Sequence, residues 1–136
     1  MPPERRDATN AAEWLRRARS NMAKAMAGRS TPEVLYEDLC FDAQQAAEKA
    51  IKALLVHQQV AFPKTHAISD LLTILEGSGV GVPAEVRQAG ALTGYAVEAR
   101  YPGLSEEVTE GEYVEALTLA ERVVRWAESW IAGRSA

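Results

Sequence analysis

Phe41-Asp42-Ala43-Gln44-Gln45-Ala46-Ala47-Glu48-Lys49-Ala50-Ile51-Lys52-Ala53-Leu54-Leu55 decides the fold. It is built from strong helix formers with no Gly or Pro, and it is long enough to cross a whole small domain as one helix. At about 100° per residue, Leu35, Leu39, Ala43, Ala46, Ala47, Ala50, Ala53 and Leu54 fill one half of the circle and predict an intramolecular core face. Asp38, Asp42, Gln45, Glu48, Lys49 and Lys52 occupy the opposite arc. Phe41 projects from the middle of that arc, with Val34 and Leu55 on its side. A large ring among polar groups is economically explained by a partner surface, which predicts a helix-mediated homodimer with Phe41 and Gln45 in the interface. The alternative is that Phe41 packs beneath the preceding helix and the charges are solvated i,i+4 pairs such as Glu48–Lys52.

Working outward, the punctuation gives further helices and no run with strand alternation. A first helix is expected from a cap at Asp7 or Thr9 to about Ala27, with Leu15, Ala18, Met22 and Ala25 inward. The central helix is expected to open at Thr31, with Pro32 in its first turn, and to run to about His57. A short helix follows Thr65, burying Ile68, Leu71, Leu72 and Leu75 until Gly77 to Gly81 end it. Another is expected from Pro83 to Tyr101, because Pro102 disfavours helical geometry before it. The last opens on Thr109 and Glu112 at capping-box spacing, with Tyr113, Ala116, Leu117, Ala120, Val123, Val124, Ala127, Trp130 and Ile131 down one side. The expectation is an all-α, antiparallel up-and-down bundle of four long helices plus one short helix, dimeric, forming one domain over 1–136 with a flexible tail at 1–6.

The chain has 136 residues, about a quarter charged and nearly half apolar, which suits one core. Its formal net charge of −4 excludes a broad basic surface for duplex DNA and leaves room for a focal cationic cleft. The lone Cys40 fits a reduced, cytoplasmic protein, and no apolar stretch has the length of a signal core or a membrane span. Gly77-Ser78-Gly79-Val80-Gly81 lacks the Gly-Lys-Ser/Thr and the strand context of a phosphate loop and reads as an interhelical loop. No Cys/His cluster has metal-ligand spacing, and no Glu-x-x-His pair suggests a di-iron bundle, so neither metal nor cofactor is expected. Cys40 lacks the cationic setting that activates a thiol.

Three ordered motifs resemble the HEPN domain. Cys40 to Ala53 is similar to the family's Cys-Phe-x-Ala-Gln-Gln-Ala-x-Glu-Lys-x-x-Lys-Ala helix; Thr65, His66, Leu71 and Leu72 match its Thr-His-x-x-x-x-Leu-Leu segment; and Leu92, Thr93, Tyr95, Ala99, Arg100, Tyr101 and Pro102 match its Leu-Thr-x-Tyr-x-x-x-Ala-Arg-Tyr-Pro ending. The resemblance runs from about Trp14 to Ala127. It implies a small helical dimer that binds nucleotide or RNA and pairs with a minimal nucleotidyltransferase in a toxin–antitoxin type system.

The family's ribonucleases use an arginine followed a few residues later by a histidine, without metal. There the imidazole moves a proton at the ribose hydroxyl or leaving oxygen, and the guanidinium stabilises charge on the phosphate. Here Tyr101, Pro102, Gly103, Leu104, Ser105 and Glu106 follow Arg100, and no histidine does. Asp42 also stands where relatives often carry histidine. The resemblance therefore implies binding without catalysis; the alternatives are a metal-independent ribonuclease using Arg100 and His66, and a dimerisation module without a ligand. Arg100, Tyr101, Lys49, Asp42 and Gln45 are the candidate ligand-binding residues, Arg100 for its paired phosphate donors and Tyr101 as a stacking or interface ring. For Arg100 an intersubunit ion pair with Asp42 or Glu98 is the alternative. His57, at a helix end, needs no catalytic explanation. Arg16, Arg17 and Arg19 read as a solvated face, and Trp14, Trp126 and Trp130 as core anchors.

Overall fold

A computed structural model describes residues 10–96 and 107–133. Helix α1 is Ala11–Met26, α2 Tyr36–His57, α3 Ile68–Gly77, α4 Ala84–Arg87, which continues as a 3-10 helix over Gln88–Tyr95, and α5 Glu110–Ile131. The expected all-α fold is what is found, and the described residues contain no strand.

Partnered residues give the directions of the helices. Along α1 and α2, Lys52 lies over Trp14 and Lys24 reaches Asp42, so the two are antiparallel. Arg19 meets Glu128 while Tyr113 donates to the Ala25 carbonyl, so α1 and α5 are antiparallel. Arg122 bonds Gln88 near one end, while Tyr95 shares a pocket with Glu112 and Glu115 near the other, so the α4/3-10 unit also runs against α5. The result is an up-and-down bundle of α1, α2, the α4/3-10 unit and α5, with α3 against α2 and the 3-10 helix.

Local chemistry moves several expected boundaries. Asn10 caps α1, its side-chain oxygen accepting from Glu13 N at 3.2 Å; the expected caps Asp7 and Thr9 lie outside the described residues. Thr31 does cap, but it caps a turn: its hydroxyl accepts from Glu33 N at 3.2 Å, and its carbonyl from Val34 N at 3.1 Å. Leu35 is then extended, at φ −91° and ψ 142°, so α2 starts at Tyr36. That break takes Leu35 out of phase with the core and leaves it exposed. The Thr109–Glu112 capping box is present, with reciprocal bonds of 3.1 and 2.9 Å.

The expected continuous helix from Pro83 to Tyr101 is one α-helical turn that tightens into a 3-10 helix ending at Tyr95, with Ala96 extended at ψ 143°. Gly90 and Gly94 weaken α-helical propensity here. Gly90 also lets the segment close on α3, because a Cβ there would stand 2.3 Å from the Ser69 hydroxyl. The Thr93 hydroxyl accepts from Ile68 N at 3.2 Å and so fixes the start of α3.

The central helix is enclosed far more completely than its sequence suggests. Beyond the expected core face, Cys40, Ile51 and Leu55 are fully buried, as is the amide side chain of Gln44. Asp42, Glu48 and Lys52, placed by the helical pattern on the polar arc opposite the core, are buried too. With α1, α5, α3 and the 3-10 helix all packed on α2, its polar groups must find partners inside the protein. Phe41 and Gln45 remain half-buried. No described helix is long and apolar enough to cross a membrane.

Candidate functional site

The polar residues of α2 form two hydrogen-bonded chains. In the first, Gln45 Nε2 donates to Gln44 Oε1 at 2.7 Å, and Gln44 Nε2 donates to Glu48 Oε1 at 2.8 Å. The same Glu48 oxygen lies 2.9 Å from His66 Nδ1, and Lys52 Nζ donates to Glu48 Oε2 at 2.8 Å. The helix supplies this ladder because Gln44, Glu48 and Lys52 are each one turn apart. Thr65 supplies the histidine by turning the chain, its hydroxyl accepting from Ala67 N at 3.0 Å just ahead of α3.

Burial disfavours the charged form of Glu48, but hydrogen bonds from Lys52, Gln44 and His66 and the Lys52 charge outweigh it and hold the carboxyl below its ordinary pKa. Glu48 is thus an acceptor at neutral pH, which makes His66 Nδ1 the donor and Nε2 the basic nitrogen of the neutral ring. The imidazole side chain is 52% exposed while that of Glu48 is 4% exposed, so a solvent-facing ring is oriented by an interior carboxylate. Lys52 does not stand as a solvent-facing cation beside Lys49. Instead its ammonium lies between the Trp14 and Phe62 rings, 5.7 and 5.9 Å from their centroids, and is committed to Glu48.

The second chain crosses from α1 to α2. Lys24 Nζ pairs with Asp42 Oδ1 at 3.1 Å, Asn21 Nδ2 donates to the same oxygen at 3.0 Å, and Lys49 Nζ donates to Asn21 Oδ1 at 2.8 Å. Desolvation depresses the Lys49 pKa, and the Arg17 charge depresses it further, with a smaller contribution from Lys24. At the far end of α1, Glu13 accepts from both Arg16 and Arg17.

The structure thus links Asp42 with Lys49 through Asn21, and Gln45 with His66 through Gln44 and Glu48. Arg100 and Tyr101 lie outside the described residues, as does Glu98, the suggested partner of Arg100. His57 is exposed in the last turn of α2, where a positive charge suits the helix dipole. Asn21, Gln44 and Glu48 are site residues that the sequence reading did not single out. The Gln44/Glu48/Lys52 ladder was visible as i,i+4 spacing, whereas Asn21 comes from α1 and had no local signal. Cys40 is buried and forms no disulfide. Among the described residues no group of three or more His, Cys, Asp or Glu could hold a metal ion.

The model of the HEPN domain family matches residues 11–130. The crystal structure of ST0689, an archaeal HEPN homologue, superposes with a TM-score of 0.71 at 29% sequence identity, covering 90% of this chain and 98% of that one. No curated protein matches.

Proposed function

The chain belongs to the HEPN domain family, and from that premise we propose that it is a dimeric binding module. In this reading it engages a nucleotide or RNA phosphate through a cleft containing Arg100 and pairs with a minimal nucleotidyltransferase in a toxin–antitoxin type system, without catalysis of its own. The observation that carries the reading is the closure of the Glu48 network. Its carboxylate has three partners, and Lys52 is spent on neutralising it. Neither group is poised to move a proton at a scissile bond. The sequence after Arg100 also lacks the histidine that the family's ribonucleases use. The half-buried Phe41 and Gln45 on α2 support a partner copy there, with Tyr101 in the same interface.

One contact favours a second reading. A buried carboxylate that orients an exposed imidazole, as Glu48 does for His66, is an arrangement that general base catalysis uses. A metal-independent ribonuclease with Arg100 and His66 would follow. An RNA cleavage assay in excess chelator, on the wild type beside Arg100→Ala and His66→Ala, separates the two. The binding reading expects intact RNA with all three proteins; cleavage abolished by either substitution would replace it with the second reading.

A further inference from the structure

We infer that the groove between α1 and α5 is a docking site for a basic amphipathic helix of a partner protein. It involves none of the residues assigned above to phosphate binding or to the interface between copies.

Met22, Met26, Val114, Leu117, Thr118 and Glu121 line an opening of about 160 Å³ between the two helices. Met26 is 55% and Val114 53% exposed; with Leu35 they are the large apolar side chains that stand in water among the described residues. All three lie at one end of the bundle, where α1 finishes and α2 and α5 begin. A single exposed apolar residue would mean little, but their concentration marks an interaction surface.

The opening is smaller than the roughly 300 Å³ at which small-molecule sites begin. Its hydroxyl is spent on its own helix, Thr118 Oγ donating to the Val114 carbonyl at 3.1 Å. Little is left to orient a metabolite, and the space suits inserted side chains instead. The two methionines supply adaptable, polarizable packing. Met22 and Met26 are one turn apart, about 6 Å along α1 at ~1.5 Å per residue, and Val114 and Thr118 repeat that step on α5. A helix laid along the groove meets this spacing with apolar side chains at i and i+4.

Charge decides which helix. From Glu110 to Glu121, α5 carries Glu110, Glu112, Glu115 and Glu121 and no Lys or Arg. The helix dipole favours acids in the first turn, which accounts for Glu110 and Glu112 but not for Glu115 and Glu121. The cations of the two helices near the groove are committed: Arg125 pairs with Glu121, Arg19 with Glu128 and Lys24 with Asp42. Glu110, Glu112 and Glu115, all exposed around Val114, then set the sign of this wall. It fits Lys or Arg on the flanks of the apolar anchors. A second copy of the same groove would bring these carboxylates face to face, which works against self-association here.

The test titrates the full chain into a labelled helical peptide about eighteen residues long, with leucines at i and i+4 and lysines on both flanks, and follows fluorescence anisotropy. A second peptide keeps the leucines and replaces every lysine by glutamate. At low salt the lysine peptide should bind at least about tenfold more tightly, an advantage that shrinks as salt rises. Met26→Ala combined with Val114→Ala should weaken binding about tenfold, while Leu35→Ala leaves it unchanged. The double variant should melt no lower than the wild type, because both side chains are exposed and Ala is the better helix former. In methyl NMR of the wild type, the Met22 and Met26 signals should shift as the lysine peptide is added. No binding of that peptide up to about 1 mM protein, equal affinity for the two peptides, or wild-type affinity in the double variant overturns the inference. So does an oligomer, seen by sedimentation, that the double variant breaks, because the groove would then be an interface between copies.

Discussion

His66 Nδ1 and Glu48 Oε1 lie 2.9 Å apart, joining the segment before α3 to the interior of α2 through a carboxylate that is itself 4% exposed. The contact is a consequence of enclosure. Because α2 is surrounded by its neighbours, Glu48 has to be satisfied within the protein, Lys52 supplying the counter-charge and Gln44 and His66 further hydrogen bonds.

Removing one member of the Glu48–Lys52 pair should cost far more than removing both. Glu48→Leu leaves the Lys52 ammonium buried without its counter-charge, at about 3–5 kcal/mol. Glu48→Leu with Lys52→Leu removes both charges and should be less destabilised than Glu48→Leu alone. Urea unfolding of the two single variants and the double variant measures the coupling; additive losses would show that the pair is not a unit.

Acid should act through Glu48. Its folded-state pKa lies below the ordinary value, so the folded protein binds fewer protons than the unfolded chain in that range. The resulting stability is fully present above the ordinary glutamate pKa, about 4.3, and is lost as pH falls from there through the folded value. Wild-type stability should therefore drop more steeply between neutral pH and about pH 3 than that of Glu48→Gln, followed by urea midpoints at each pH. Parallel curves would assign the acid sensitivity elsewhere. Glu13 is also lowered through its hydrogen bond from Arg16, but its partners Arg16 and Arg17 stand in solvent, which screens the pairs and keeps their contribution small.

Gly90 and Ser69 should behave as a steric pair. Gly90→Ala places a methyl 2.3 Å from the Ser69 hydroxyl, which must move, while Ser69 Cβ stays at an ordinary 3.6 Å. Alone, Gly90→Ala should destabilise. In a Ser69→Ala background it should stabilise by about 0.4–1 kcal/mol, because the unfolded chain loses freedom and the folded chain loses no contact. Thermal melts of the four proteins decide it.

The helical order, the inward stripes of α1, α3 and α5, and the capping box of α5 were legible because each depends on neighbours a few residues away. The enclosure of α2 was not. Its amphipathic pattern has an apolar half, and only the packing of other helices reveals that Asp42, Glu48 and Lys52 are buried as well. The Asp42–Asn21–Lys49 chain was illegible for the same reason, since its middle residue lies on another helix. The 3-10 helix was not legible, because Pro102 sets only a latest end for a helix, whereas Gly90 and Gly94 weaken it from within. Arg100 and Tyr101, singled out by the motif they share with the family, lie outside the described residues and remain candidates on that ground.

The central claim, phosphate binding without cleavage, is tested most directly by incubating the wild type with end-labelled single-stranded RNA in excess chelator and reading binding and strand integrity from the same sample. The expected result is a salt-sensitive complex in which the RNA stays full length. RNA cut by the wild type but not by His66→Ala would contradict the claim and make His66, held by Glu48, the working base of a ribonuclease; full-length RNA with no complex at low salt would contradict the binding itself.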